Sequence, residues 1–209
     1  MSRLIVWRHG NTDWNASQRV QGQTDVPLNA LGRQQAVDAA ELLIKMKPNV
    51  IVSSDLRRAA DTAAALAALT GLTIRHDERL RERYFGAWQG LTMAEVAERH
   101  PAEHARWTAG DDPGGDLESL DDLGKRAGEA LRDAAELSPT GGTVVVATHG
   151  AAARQGMGHL LGWRTEQLRT LRALQNCHWV ELTHDSRRGW QIATYNVGPF
   201  TDRPIPSPV

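Results

Sequence analysis

Two histidines follow short apolar runs. Leu4 to Trp7 leads into Arg8-His9-Gly10, and Thr143 to Ala147 leads into Thr148-His149-Gly150. Histidine's ordinary pKa of about 6.5 leaves an unprotonated ring nitrogen available near neutrality. Arg8 adjoins His9. Arg58 lies in Ser53-Ser54-Asp55-Leu56-Arg57-Arg58, after a third apolar run, Val50 to Val52. The planar fork of arginine meets two phosphate oxygens at once. Glu82, within Leu80-Arg81-Glu82-Arg83-Tyr84-Phe85-Gly86, is a carboxyl that can supply a proton. These residue types suit phosphoryl transfer to a side chain, which needs a neutral nucleophile, cationic donors on the non-bridging oxygens and an acid for the leaving oxygen. His9 is the candidate nucleophile, Arg8 and Arg58 the clamp, His149 a further donor in its cationic form, and Glu82 the acid.

Each of these residues also has an ordinary explanation. A lone histidine after a strand is by default a surface or satisfied core residue, and Glu82 between Arg81 and Arg83 is by default part of a surface charge cluster. Ser54-Asp55 reads first as a helix cap.

The elements that must position these residues follow from the apolar pattern. Leu4–Trp7, Val50–Val52 and Thr143–Ala147 read as buried strands, with a further short strand at Thr73–Arg75. Asn29 can cap a helix that Pro48 stops, and an alanine-rich helix is expected from Leu56 to Thr70, closed by Gly71. Thr92 to Glu95 has capping-box spacing and predicts a short helix ending at Pro101, followed by a loop over Thr108–Asp116. Helices are expected over Leu120–Leu137 and from Gly150 to Leu161. Trp179–Thr183 and Gln191–Tyr195 read as paired strands joined at Asp185–Gly189. Alternating strands and helices predict an α/β fold: three layers, α/β/α, with a mostly parallel central sheet. In such sheets ligands sit beyond the carboxyl ends of the strands. That rule alone brings both histidines and several arginines to one edge.

The composition limits the alternatives. The 209 residues fit one domain, expected over 1–197, with a proline-rich tail at 198–209. The net charge of -1, with 41% hydrophobic and 23% charged residues, gives no sign of a nucleic-acid or membrane partner. Any positive charge that handles an anion must therefore be local. One cysteine, Cys177, excludes an internal disulfide framework, and the chain reads as cytoplasmic. His76, His100, His104, His159, His178 and His184 show no metal-ligand spacing, so no metal or cofactor is expected.

The string Arg8-His9-Gly10-Asn11-Thr12-Asp13-Trp14-Asn15 resembles the signature of the histidine phosphatase superfamily, in its phosphoglycerate mutase-like branch. The resemblance extends over almost the whole chain. It includes Gln21-Gly22 with Asp25 and Pro27-Leu28, Ser53 to Ala59 with Thr62-Ala63, Leu80 to Glu82 with Phe85-Gly86, and Thr148-His149-Gly150. It implies a phosphorylated His9, phosphate binding by Arg8 and Arg58, completion of the cradle by His149 with Gly150, and proton donation by Glu82. Asn15, Gln21 and Gly22 would line the pocket mouth, and Arg83 and Tyr84 could contact a glycerate or sugar portion. The implied substrate is a small-molecule phosphomonoester, with no metal and with a homodimer as a possible assembly.

One departure is Gly114-Gly115-Asp116-Leu117-Glu118-Ser119, where relatives often carry Gly-Gly-Glu-Ser, as if two residues were inserted. Glu118 and Ser119 keep the expected spacing to Arg126. Phe85 stands where the glycolytic mutases of the family carry a tyrosine, and Met93 where they carry a lysine. Hydrolysis is therefore expected ahead of mutase chemistry. A phosphoprotein phosphatase or a non-catalytic binding module are the remaining alternatives.

Overall fold

The computed structural model describes residues 2–138 and 141–199. Six strands, β1 (Ser2–Arg8), β2 (Val50–Ser53), β3 (Ile74–His76), β4 (Thr143–Thr148), β5 (Trp179–Asp185) and β6 (Gly189–Val197), form one mixed sheet in the order β3-β2-β4-β1-β5-β6. The first four are mutually parallel, and β5 and β6 add an antiparallel edge.

Side chains alternate between the two faces, as strand geometry requires. Leu4, Val6, Val52, Val144 and Val146 face α6 (Leu120–Glu136) and α7 (Gly150–Leu161). Ile5, Trp7, Ile51, Val145 and Ala147 face α2 (Ala30–Leu43) and α3 (Arg57–Thr70). Every β4 residue is buried, because helices cover both faces of a central parallel strand. Each fully buried side chain of this kind contributes about 1.5–3 kcal/mol of transfer free energy. The three-layer arrangement expected from the alternation is the one observed.

The helix ends follow local chemistry. Asn29 Oδ1 accepts the Gly32 N–H at the start of α2, at 2.9 Å. Gly71 closes α3 in the left-handed region, at φ 72°. The capping box of Thr92 and Glu95 opens α4 (Met93–Arg99) as its spacing predicts. Pro101 ends α4 as expected and in addition begins α5 (Pro101–Ala109), since a residue without an N–H fits the first turn of a helix. The expected loop therefore starts after Gly110 instead of at Thr108. Two short helices, α1 (Asp13–Ala16) and α8 (Thr165–Arg169), are too brief to show a helical period in sequence. Among the described residues no helix is long and apolar enough to cross a membrane. The proline-rich tail lies, from residue 200, outside the described residues.

Candidate active site

Strand register places the reactive residues. Arg8 pairs with Thr148 and Ser53 with Ala147, so His9, Ser54 and His149 leave three adjacent strands at the same level. The rings of His9 and His149 are 5.2 Å apart between centroids. β5 runs antiparallel to β1, so its leading residues arrive at this same edge. There Asn176 Nδ2 donates to the His9 carbonyl at 3.0 Å, and Arg8 Nη1 donates to the Leu174 carbonyl.

His9 Nδ1 lies 2.7 Å from the Gly10 carbonyl. A carbonyl only accepts, so Nδ1 carries the ring proton and Nε2 keeps the lone pair. Burial, then the charges of Arg58 and Arg8, hold the His9 pKa well below the ordinary histidine value. The ring is therefore the neutral form a nucleophile requires. The loop that carries it is fixed from α3, where Gly10 N donates to Thr62 Oγ1 at 3.1 Å. It also packs on α2: a Cβ on Gly10 would stand 2.4 Å from the Gly32 carbonyl oxygen.

Arg58, on the first turn of α3, is fully buried. Its Nη1 and Nη2 donate to the carbonyls of Thr24 and Gly22 at 2.8 and 2.7 Å, and its Nε has no partner. Burial lowers its pKa to about 10 against the opposing pull of Glu82 and Asp25, so it stays charged at neutral pH. Arg8 likewise keeps an unpartnered Nε. Gly22 adopts φ 52°, a left-handed conformation that suits glycine and turns its carbonyl toward Arg58.

Glu82 reaches the start of α7. Its Oε2 accepts from Ala151 N at 3.1 Å, and its Oε1 accepts from Ala152 N at 3.0 Å and Arg83 N at 2.9 Å. His149 is the N-cap of α7 but makes no side-chain cap bond, so Glu82 supplies that cap from another loop. The position of Gly150 keeps this corner open: a Cβ there would stand 3.6 Å from Arg8 Nε and 3.8 Å from Glu82 Oε2.

A cavity of about 200 Å³ joins these groups. Arg8, His9, Arg58 and Glu82 form its polar side, and Asn15, Gln21 and Gly22 line it as expected, with Gln21 Oε1 buried and unpartnered. Phe85, Trp88, Met93 and Trp107 form an apolar wall, and Arg19 lines the cavity while tied to Glu95 Oε2 at 3.0 Å and to the Gly90 carbonyl at 2.7 Å.

Three expectations change. His149 is neutral instead of cationic, because burial and the neighbouring charge of Arg58 push its pKa well below the ordinary value. Arg83 and Tyr84 do not line the cavity. Arg83 is buried behind the wall, against the rings of Phe85 and Trp107 at 5.3 and 5.5 Å, with Nε on the Glu118 carbonyl. Tyr84 points outward and is 41% exposed. Ser54 and Asp55 do not make the expected Asp cap of α3. Asp25 Oδ1 accepts the Arg57 N–H at 2.7 Å, Asp55 pairs with Arg81, and Ser54 Oγ meets His149 Nε2 at 2.9 Å.

Arg19, Trp107 and Asn176 carried no motif. Trp107 lies on α5, over a stretch to which the sequence pattern assigned no element, and Asn176 belongs to the approach of an antiparallel strand.

The pattern of the histidine phosphatase superfamily (branch 1) matches residues 4–198. The chain belongs to the histidine phosphatase superfamily. As a histidine phosphatase it is a hydrolase of phosphate monoesters. It is 40% identical over 197 residues to a glucosyl-3-phosphoglycerate phosphatase of Mycolicibacterium vanbaalenii, covering 88% of this chain and 85% of that one. It is 42% identical over 159 residues to phosphoglycerate mutase-like protein 4 of Arabidopsis thaliana, covering 73% of this chain and 68% of the relative. Among solved structures, a mycobacterial glucosyl-3-phosphoglycerate phosphatase in complex with VO3 superposes with a TM-score of 0.86 at 38% identity, covering 95% of this chain and 100% of that one. In this histidine phosphatase the 114–119 loop is tied down at its end: Glu118 pairs with Arg126, Ser119 caps α6, and the Asp116 carboxyl packs where a Cβ on Gly86 would fall.

Proposed function

We propose that the chain hydrolyses a small sugar or glycerate phosphate through a phosphohistidine on His9 Nε2, with glucosyl-3-phosphoglycerate as the first candidate substrate. The observation that carries the mechanism is the His9 tautomer. Gly10 holds the proton on Nδ1, which leaves Nε2 as a neutral nucleophile beside the buried guanidinium of Arg58 and the half-buried Arg8. The substrate choice is supported by the glucosyl-3-phosphoglycerate phosphatases among the relatives that span most of this chain.

In this reading His9 Nε2 attacks phosphorus as the ester P–O bond breaks. The proton of the Glu82 carboxyl passes to the departing alkoxide, giving the alcohol. Arg8 and Arg58 hold the non-bridging oxygens through their free Nε–H groups, where charge develops in the transition state. His149 offers Nδ1, since Nε2 is taken by Ser54. Water then attacks the phosphohistidine, returns a proton to the Glu82 carboxylate and releases inorganic phosphate and His9. Asn15, Gln21 and Gly22 meet the leaving group at the mouth. Cytoplasmic location belongs to the same reading and is supported by the unpaired thiol of Cys177, the chain's one cysteine.

Incubation with a labelled phosphomonoester should yield an acid-labile, base-stable phosphoenzyme that His9→Ala lacks; wild-type turnover by His9→Ala would end this mechanism. A panel of phosphorylated metabolites that includes glucosyl-3-phosphoglycerate tests the substrate. A clear preference for an unrelated ester would displace it.

A further inference from the structure

Arg126, on α6, does not line the cavity, yet three of its five N–H groups donate to carbonyls of the segment that carries Glu82 and the other two to Glu118. Its Nε and Nη2 donate to the two carboxylate oxygens of Glu118 at 2.5 and 2.8 Å. Its Nη1 donates to the carbonyls of Arg79 and Arg81, both at 2.7 Å, and Nη2 donates again to the Glu82 carbonyl at 2.9 Å. Arginine has five N–H groups, and here they meet five acceptors.

Residues 81–85 belong to no helix or strand, so no ladder fixes them. Glu118 completes the frame. Its Oε2 accepts from Tyr84 N at 3.1 Å, its own N–H donates to the Tyr84 carbonyl at 2.9 Å, and its carbonyl accepts from Arg83 Nε at 2.6 Å. The Glu82 backbone is thus held from α6, while its carboxyl is held by the first N–H groups of α7. Both holds are needed to aim one carboxyl oxygen into the cavity. A small shift of the 79–84 backbone would move the carboxyl away from a leaving-group oxygen, and such displacements cost large factors in rate.

We infer that Arg126, locked by Glu118, is the positioning residue for the proton donor Glu82. This rests on the reading of Glu82 as the acid. A role confined to the fold would slow all substrates alike. In the phosphorylation step, a role in aiming the acid slows only those whose leaving group needs a proton.

The test measures kcat/KM, which ends at phosphoryl transfer to His9 and omits the dephosphorylation common to all substrates, for 3-phosphoglycerate and for p-nitrophenyl phosphate, whose leaving group needs little protonation. It compares the wild type with Arg126→Met, Arg126→Lys, Glu118→Gln, Glu82→Gln and the Glu82→Gln/Arg126→Met double variant. In Arg126→Met the ratio of alkyl to aryl kcat/KM should fall about tenfold or more, within the range that general acid catalysis commands. Arg126→Lys should not restore it, because one ammonium cannot reach five acceptors. The double variant should show the same ratio as Glu82→Gln alone. Equal losses on both substrates, or independent effects that multiply in the double variant, would overturn the inference. Should Arg126→Met fail to fold, Glu118→Gln must show the same selective loss in smaller measure, and its absence would be decisive against the inference. A selective loss in Glu82→Gln but not in the Arg126 variants sinks the role of Arg126 alone. No selective loss in Glu82→Gln sinks the acid assignment and this inference together.

Discussion

His149 Nε2 stands 2.9 Å from Ser54 Oγ, and that hydroxyl also accepts the backbone N–H of Leu56 at 3.3 Å. With Leu56 as its donor, the hydroxyl is free to give its hydrogen to Nε2. The neutral ring then carries its own proton on Nδ1, which is buried and unpartnered. Ser54→Ala removes this constraint and leaves a second ring nitrogen without a partner. The expected cost is about 1–3 kcal/mol in urea denaturation. Turnover should fall as well, since the ring loses the bond that fixes its tautomer. Unchanged stability and unchanged kcat would show that Ser54 does not orient His149.

His9 and His149 are both neutral in the folded protein, held there first by burial and then by Arg58. In the unfolded chain each binds a proton near the ordinary value of 6.5. Below that value the unfolded state takes up protons that the folded state does not, so folding stability should fall as pH falls. The melting temperature should therefore decline between about pH 7 and about pH 5, and His9→Ala should make the decline shallower. A melting profile that is equally steep in His9→Ala would contradict this assignment.

Arg58 serves two carbonyls and still holds a free Nε. Lysine cannot reproduce that fork. Arg58→Lys should lower kcat/KM by about 10²–10³, the scale for losing one oriented donor to a developing charge. The measurement is steady-state hydrolysis alongside a melt, and a loss below threefold would remove Arg58 from the clamp.

Gly32 lies against the signature loop so closely that a Cβ would stand 2.0 Å from the Asn11 carbonyl oxygen. The obstacle is backbone and cannot rotate aside. Gly32→Ala should destabilise by about 1–3 kcal/mol, as overpacking does, and should also lower kcat by displacing the loop that holds His9. A variant with wild-type stability and activity would show that the loop has more freedom than its contacts allow.

The cavity carries Phe85 and Met93 at its wall, and Arg19, the cation at its mouth, is already bonded to Glu95 and Gly90. Incubation with 3-phosphoglycerate and a bisphosphoglycerate primer should therefore release inorganic phosphate without forming 2-phosphoglycerate. Rapid isomerisation would reverse the preference for hydrolysis.

Much of this arrangement is legible in the residues. The apolar runs at Leu4–Trp7 and Thr143–Ala147 need burial on both faces, which demands a covered parallel sheet. A parallel sheet sends successive strand ends to one edge, so Arg8-His9 and Thr148-His149 had to meet there. Thr92 and Glu95 predicted a helix start because capping is local chemistry between near neighbours. Pro101 marked the end of α4 correctly but gave no sign of α5, because the same missing N–H that ends one helix is tolerated at the start of the next.

The residues alone determined the fold class, the meeting of the two histidines and the arginines, and the superfamily. These depend on local sequence, on burial pattern and on the fixed direction of parallel strands. The charge of His149, the burial of Arg83 behind Phe85 and Trp107, and the five bonds of Arg126 were decided only by the tertiary structure. Each depends on desolvation and on partners brought in from distant segments, such as Arg58 near His149 or Glu118 beside Arg83. Sequence spacing carries no record of either.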